Sequence, residues 1–492
     1  MTQPASIALP QQVGVVNVGL PLFAGALADQ GAPVISVDWQ VPAGGQPALV
    51  AALGRLYGVH GERIEAANAE VLRRLDSGVP VLTGITTVAD AVPRLGARVL
   101  LHCGPALRYP QAPDPLRRSM QAAAVAEGWA GSPAEADELL AGERIGLSPA
   151  NAHRVVVPMA TALGPGAPLY AVANDAGGTT AFAPVSQGPG EVAWFGCATD
   201  ASIARLVFLR DVAAPVIREI LRRTGPVDVL AIAAQAVTMG DDVHVRTQAA
   251  TNLLIRDWLP HLAESGGSQV AAFARFLSAN HLFFLTLAMA AARSLTEWAA
   301  GVPDSSIVTS MSRNGTTFGI RLAGSPRWFT AGAPEVGDAL YHPGRGPDDG
   351  ARDIGDSAVL ELCGLGAAAA AGSPAVAQLL GGSMAAAAAL TERLAAVCAG
   401  RSGRFKIPVL GNVGTPLGVD VRKVAEFGTT PAVTTGILHR SAGTGQVGAG
   451  VAEAPLACFT DALTDLDRRL AAPGRPSAPR RPAMDAGRPV GR

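Results

Sequence analysis

The sequence predicts a multidomain protein of mixed α/β and α+β class, and three observations support this. The chain has 492 residues, several times the length of an average domain of about 150 residues. Hydrophobic residues make up 49% of it and charged residues 16%, so a large core can form. Strand and helix patterns alternate near the N-terminus, whereas later segments mix strands with long helical stretches.

The first domain is predicted over residues 1–104 and begins with a compact βαβ unit. Val13–Val18 and Pro33–Val37 have the composition of strands, and Leu20–Gln30 between them has a helical period. Asp38 follows the second strand, roughly where a dinucleotide fold places its ribose-binding acid. The glycine fingerprint of such folds is missing, which argues against a nicotinamide cofactor.

The same α/β domain is predicted to continue through a helix at Arg63–Leu75 and strands at Pro80–Ile85 and Arg98–His102. Ligands are expected at the carboxyl ends of the strands in such a sheet. The turn after the βαβ unit contains Gly44 and Gly45, whose backbone N–H groups can approach an anion or a partner chain. A purely structural loop is the alternative.

A small helical excursion is predicted at 105–150, followed by an α+β domain at 151–472 with a helical subregion at about 247–300. The tail 473–492 contains five Pro and five Arg with little apolar content, so we expect it to be disordered. The patterns of the larger domain predict strands at Val155–Val157, Leu169–Val172, Glu191–Phe195 and Val227–Ala233, and helices at Ile203–Arg223, Leu282–Ala292 and Ala457–Ala472.

Charge and cysteine usage exclude several function classes. Lys and Arg number 39 against 40 Asp and Glu, so no basic surface for nucleic acid is expected. The five cysteines are widely spaced without a CxxC pair, which predicts neither disulfides nor a metal site. The N-terminus lacks the pattern of a signal peptide, and the uncharged stretch Leu362–Leu390 is broken by glycines and a proline. We therefore predict a cytoplasmic protein in which that stretch forms two buried helices, not a membrane span.

Candidate catalytic residues are polar side chains that interrupt apolar sequence. His244 lies in Met239–Arg246, where two carboxylates, an imidazole and a guanidinium follow a predicted buried strand. Such a cluster can supply acid–base or anion-binding groups, and a solvated helix N-terminus is the equal alternative. Alternation over Gly418–Lys423 predicts a strand with Asp420 and Arg422 on one face.

The C-terminal part adds a glycine-rich stretch, Gly443–Gly450, that can form an anion-binding nest beside His439. The Asn-Gly pair at 314–315 predicts a hairpin whose tip carries Arg313 and Asn314. The predicted catalytic residues are His439, Asp420 and His244, and the predicted anion-binding residues are Arg313, Asn314, Arg422, Lys423, Gly443, Gly445, Gly448, Gly44 and Gly45.

One hypothesis unites three of these residues: Arg313, Arg422 and His439 converge on a pocket above the glycine-rich stretch. The alternative is that both arginines form internal salt bridges with Asp353, Asp356 or Asp420, because structural ion pairs imitate active sites.

Several segments together resemble the YlbE-like family, also met as YahG-like proteins. The matching segments are Asn17-Val18-Gly19 with Val37–Gly45, Arg313-Asn314-Gly315 with Phe318-Gly319-Ile320-Arg321, Asp353–Ser357, Gly418–Val424 and Thr435–Gly450. The resemblance implies similarity to a subunit of the oxamate carbamoyltransferase of allantoin degradation, which acts beside FdrA-like and YlbF-like subunits. It implies carbamoyl transfer between carbamoyl phosphate and oxamate, giving oxalurate and phosphate, without a cofactor.

Two alternatives remain open beside that implication. The chain can be a non-catalytic scaffold for an FdrA-like, acyl-CoA synthetase-related chain, or a subunit of an acyl-CoA or nucleotide ligase. The sequence also departs from the family pattern at Ala150–His153, Ser186–Gly188 and Asn280–Leu282. These departures suggest a shifted substrate or catalysis left to a partner subunit.

Overall fold

A computed structural model describes residues 14–37, 40–441 and 443–472. Asp38 and the tail 473–492, for which the sequence makes predictions, lie outside the described residues. Helices and small sheets of both parallel and antiparallel strands follow one another along the described chain, which confirms the predicted mixed α/β and α+β class.

The described residues form eighteen strands, arranged in six small sheets, and sixteen α-helices. The strands are β1 (Val15–Val18), β2 (Val34–Val37), β3 (Pro80–Thr87), β4 (Val99–His102), β5 (Gly146–Pro149), β6 (Ala162–Leu163), β7 (Pro168–Asn174), β8 (Thr179–Pro184), β9 (Val227–Asp228), β10 (Val308–Asn314), β11 (Thr317–Leu322), β12 (Phe329–Gly332), β13 (Val336–Tyr341), β14 (Ile354–Gly355), β15 (Cys398–Ile407), β16 (Val413–Val419), β17 (Ala432–Leu438) and β18 (Gln446–Glu453). The helices are α1 (Pro21–Ala28), α2 (Pro47–Tyr57), α3 (Gly61–Ser77), α4 (Val88–Ala91), α5 (Asp114–Ala126), α6 (Pro133–Ala141), α7 (Asp200–Phe208), α8 (Ala214–Thr224), α9 (Val229–Thr238), α10 (Gln248–Ser265), α11 (Ser268–Ser278), α12 (Phe283–Ala299), α13 (Pro374–Leu379), α14 (Met384–Ala396), α15 (Val421–Phe427) and α16 (Leu456–Ala471).

The N-terminal βαβ unit, residues 14–37, is present as the sequence predicts. β1 and β2 pair in parallel, and α1 packs against both. The sheet does not continue beyond these two strands in the described residues. β3 pairs with β7 and β9, and β4 pairs with β5 and β6, so strand pairing crosses the predicted boundary at residue 104.

Two predicted strands of the larger domain are wrong. The run Val227–Ala233 forms two strand residues and then enters α9, because the Asp228 carboxylate accepts the N–H of Ala231 at 3.0 Å and caps the helix. The predicted strand Glu191–Phe195 ends in a 3₁₀ turn at Ala193–Phe195. Short apolar runs do not distinguish a buried strand from a buried helix by their period alone.

Gly418–Lys423 is also not a continuous strand. β16 ends at Val419, and the side chain of Asp420 accepts the backbone N–H of Arg422 at 2.9 Å. This hydrogen bond caps α15, so Asp420 and Arg422 are neighbours at a helix N-terminus and do not alternate along a strand. The predicted shared strand face is therefore wrong.

The core is built around α12, which is buried almost throughout and packs on β3, β7 and β8. Residues 362–371 are all buried, as predicted, but they form short 3₁₀ turns before α13, and the start of α14 is exposed. Of the helices in the described ranges, no single one is long and apolar enough to span a membrane. α11 and α12 reach that length only as a pair, and a bend of 83° separates them.

Candidate functional site

A cavity of about 70 Å³ opens between the N-terminal end of α12, the 241–246 turn and the β17–β18 hairpin. It is called the His244 pocket below. Its lining residues are Pro158, Met159, His244, Val245, Leu282, Leu285, Ser357, Thr435, Gly436, Gln446 and Ala449. Mostly apolar walls with a few convergent polar groups are typical of small-molecule sites.

The central polar group of this pocket is a buried histidine–carboxylate pair. His244 Nδ1 lies 2.8 Å from Glu361 Oε1, and the two side chains are 4% and 0% exposed. An ionised carboxylate only accepts hydrogen bonds, so it favours the tautomer with the proton on Nδ1. The lone pair of Nε2 is then available to a bound molecule. This is the arrangement of a general base with an orienting carboxylate.

The backbone at Gly366 passes close to the His244–Glu361 pair. Gly366 has a φ of +59°, and a Cβ atom built there would overlap Glu361 Oε1 and lie 3.1 Å from His244 Nδ1. A glycine is therefore required beside the pair. Thr434 Oγ1 lies 3.3 Å from the same Glu361 oxygen and 3.2 Å from Asp242 Oδ2, which links the pair to the next carboxylate.

The turn that carries His244 is held by two buried aspartates. Asp242 Oδ1 accepts the backbone N–H groups of His244 at 3.1 Å and Arg246 at 2.8 Å. Asp241 Oδ2 accepts the N–H of Ala250 at 2.9 Å in the first turn of α10. The two aspartates therefore accept backbone N–H groups, as expected for a helix N-terminus, but they are buried and not solvated. His244 lines a pocket, as expected for an acid–base group.

Burial raises the pKa of Asp241 from its ordinary 3.8 to about 6, against the opposing hydrogen bond from Ala250. Between these two values the folded state keeps a proton that the unfolded state loses, so this group makes folding less favourable as pH rises from 4 to 6. We expect the free energy of unfolding of Asp241→Asn, relative to that of the wild type, to be higher at pH 8 than at pH 4 by about 2–3 kcal/mol.

Urea unfolding of both proteins at each pH measures this difference. A difference that stays constant over the whole range would show that Asp241 titrates normally in the folded protein.

Arg313 lies one layer behind the His244 pocket. Its guanidinium donates to both oxygens of Asp353, at 2.7 and 2.8 Å, and both side chains are 0% exposed. Thr435, which lines the pocket, donates to Asp353 Oδ1 at 3.1 Å. Arg313 therefore reaches the pocket lining through Asp353 and Thr435, and it also interacts electrostatically with Glu361. Its neighbour Asn314 ends β10 at the predicted hairpin and accepts the N–H of Thr317 at 2.6 Å.

Asp420, Arg422 and Lys423 form a separate cluster. The guanidinium of Arg422 donates to Asp420 and to Glu65, both at 2.7 Å, and its central carbon lies 4.8 Å from the ring centroid of Tyr57. Lys423 Nζ donates to a backbone carbonyl, that of Cys398, at 2.6 Å. These contacts correspond to the internal salt bridge alternative.

His439 follows β17 and lies 3.3 Å from Asp349, outside the lining of the His244 pocket. The glycine-rich stretch beside it is not the predicted nest, because β18 begins at Gln446 and places Gly448 in a strand. A Cβ at Gly448 would lie 2.7 Å from Leu340 O, so the lack of a side chain at this position permits close pairing of β18 with β13. Gly443 and Gly445 alone remain in the loop.

The structure does not bring Arg313, Arg422 and His439 to one pocket, because each has a different set of partners and none lines the His244 pocket. Gly44 and Gly45 lie in an exposed turn with φ values of +59° and +74°, before α2. Of the predicted site residues, His244 is the one that reaches the pocket.

Sequence reasoning missed the side-chain partners of His244, namely Glu361 and Thr434. One signal pointed to Glu361, since it is the last charged residue before the uncharged stretch Leu362–Leu390. Among the described residues, no group of three or more His, Cys, Asp or Glu is arranged to hold a metal ion.

Comparison with known proteins assigns the family. A family model described as oxamate carbamoyltransferase subunit AllG matches residues 145–357, a range that contains His244. The uncharacterized protein YahG of Escherichia coli K12 is 33% identical over 457 residues, which cover 92% of this chain and 97% of YahG. The chain belongs to the YahG/AllG family.

Two further matches support membership in the YahG/AllG family. The oxamate carbamoyltransferase subunit AllG of Escherichia coli K12 is 35% identical over 409 residues, covering 82% of this chain and 97% of AllG. A crystal structure of a conserved protein of unknown function from Enterococcus faecalis V583 has a TM-score of 0.79 and 33% identity. That match covers 82% of this chain and 98% of the other, so the two chains share one fold over most of their length.

Proposed function

We propose that this chain is a subunit of a cytoplasmic carbamoyltransferase complex and that the His244 pocket contributes to its active site. The observation that carries the proposal is the buried His244–Glu361 pair at the edge of a pocket, in a relative of a protein named as a subunit of an oxamate carbamoyltransferase. We propose an oxamate-like amide or amine as the carbamoyl acceptor.

The chemistry of this transfer fits the residues of the pocket. A C–N bond forms between the acceptor nitrogen and the carbamoyl carbon, the C–O bond to phosphate breaks, and the acceptor nitrogen loses a proton. His244 Nε2 would take that proton, and Glu361 would stabilise the resulting imidazolium. Ser357, Thr435 and Gln446 offer hydroxyl and amide groups that can orient the planar amides of the acceptor.

The lining of the pocket supports the involvement of a partner subunit. None of the described residues that line it is Arg or Lys, whereas the phosphate of carbamoyl phosphate requires positive charge or a set of N–H donors. We propose that an FdrA-like subunit supplies this charge, with a YlbF-like subunit as the third member of the complex.

Reconstitution tests the proposal. The purified chain alone, each partner alone and the assembled complex are supplied with carbamoyl phosphate and oxamate, and oxalurate is measured by chromatography. We expect oxalurate from the complex only.

An inactive complex would refute the proposed reaction. Full activity of the FdrA-like and YlbF-like subunits without this chain would show that the chain is dispensable for catalysis.

A further inference from the structure

The N-terminal βαβ unit has an apolar surface that nothing in the described chain covers. Apart from Pro21, whose side chain is not described, no residue in 14–37 is buried. In the parallel register Val16 lies opposite Ile35 and Val18 opposite Val37, so the four side chains share one face of the sheet. They are 62%, 67%, 57% and 39% exposed. Isolated exposed apolar residues are ordinary, but a contiguous group marks a contact surface.

The other side of the unit is exposed as well. On α1, Leu22 is 75% and Phe23 is 58% exposed, and the helix contains no charged residue. A helix that is apolar on all sides is normally buried. Asp29 is the single charged residue between 14 and 37, so the surface that receives the unit is expected to be apolar.

The unit is also incomplete as a sheet. Both strands are edges, because β1 and β2 pair with each other alone within the described part of the chain. Two strands are marginal without further strands or packing, and parallel sheets are almost always covered by helices on both faces. α1 covers one face only. The missing parts are therefore a helical layer over Val16, Val18, Ile35 and Val37 and at least one more strand.

We infer that the βαβ unit docks on a different subunit of α/β architecture, which presents an open edge of a parallel sheet and an apolar helix. A second copy of this chain fits less well. Two identical units packed face to face would cover the four side chains with a sheet instead of a helix, and would leave the strand edges unpaired.

This inference rests on the proposed function only for the identity of the probe, the FdrA-like subunit. Binding of the full-length chain to that subunit is measured by biolayer interferometry. The variant Val16→Asp/Ile35→Asp places two carboxylates on the exposed sheet face. The control Val59→Asp/Val409→Asp changes two valines elsewhere that are 79% and 68% exposed.

We expect the first variant to bind at least about 10-fold more weakly, because each buried carboxylate would lack a partner. The control should bind like the wild type, and both variants should keep the wild-type melting temperature, since the unit is not part of the core. Hydrogen exchange at β1 and β2 should be fast in the isolated chain and slow in the complex.

Three results would overturn the inference. Unchanged binding of the first variant would exclude the face as a docking site. A dimer of the isolated chain that the same variant dissociates, seen by light scattering, would identify a second copy as the occupant. Slow exchange at β1 and β2 in the isolated chain would show that another part of the same chain covers them. A complex that forms through this face but makes no oxalurate would refute only the proposed function.

Discussion

Replacing His244 by Gln is expected to lower the rate of oxalurate formation by the assembled complex by at least about 100-fold, the usual contribution of a general base. Glutamine keeps a polar side chain of similar length but cannot accept the proton of the acceptor nitrogen. Glu361 would keep the backbone N–H groups of Thr434 and Ala367 as hydrogen bond donors, so the fold should be retained. Steady-state kinetics with oxamate as the varied substrate should show the loss mainly in kcat.

The matched control for this variant is His342→Gln, because His342 is exposed and lies outside the His244 pocket. Its activity should equal that of the wild type. Wild-type kinetics in His244→Gln would make the chain a scaffold for catalysis on another subunit.

His244 could be found from sequence because four polar groups crowd into six residues of otherwise apolar chain. Glu361 could not be assigned to it, since the two residues are 117 positions apart and meet only through tertiary packing. The βαβ unit and the Asn-Gly hairpin after β10 were predictable because the residues that form them are close together in the sequence.

Arg422 shows the limit of reasoning from residue type. An arginine beside an aspartate and a glycine is equally compatible with an anion site and with an internal ion pair. Its contact with Glu65 of α3 arises because α15 packs against α2 and α2 packs against α3, which no local pattern encodes. Gly448 is a second example, because the close approach of a neighbouring strand, and not a ligand, requires a glycine at this position.

Replacing Arg313 by Met is expected to lower the free energy of unfolding by about 3–5 kcal/mol, the cost of leaving one partner of a buried ion pair alone. The reason is that Asp353 would stay buried, with Thr435 as its remaining side-chain hydrogen bond donor. Urea unfolding followed by circular dichroism gives the value. Adding Asp353→Leu to this variant should recover much of the loss, because the unpaired charge is removed.

An exposed pair of the same chemistry provides the control. Arg63 donates to Asp304 at 2.6 Å, but its side chain is 51% exposed, so Arg63→Met should cost less than about 1 kcal/mol. The comparison also decides between the two interpretations of Arg313. If Arg313→Met unfolds at the wild-type urea concentration but loses phosphate binding in titration calorimetry, Arg313 is an anion ligand. A large loss of stability that Asp353→Leu partly restores makes it a structural residue that positions Thr435 at the pocket.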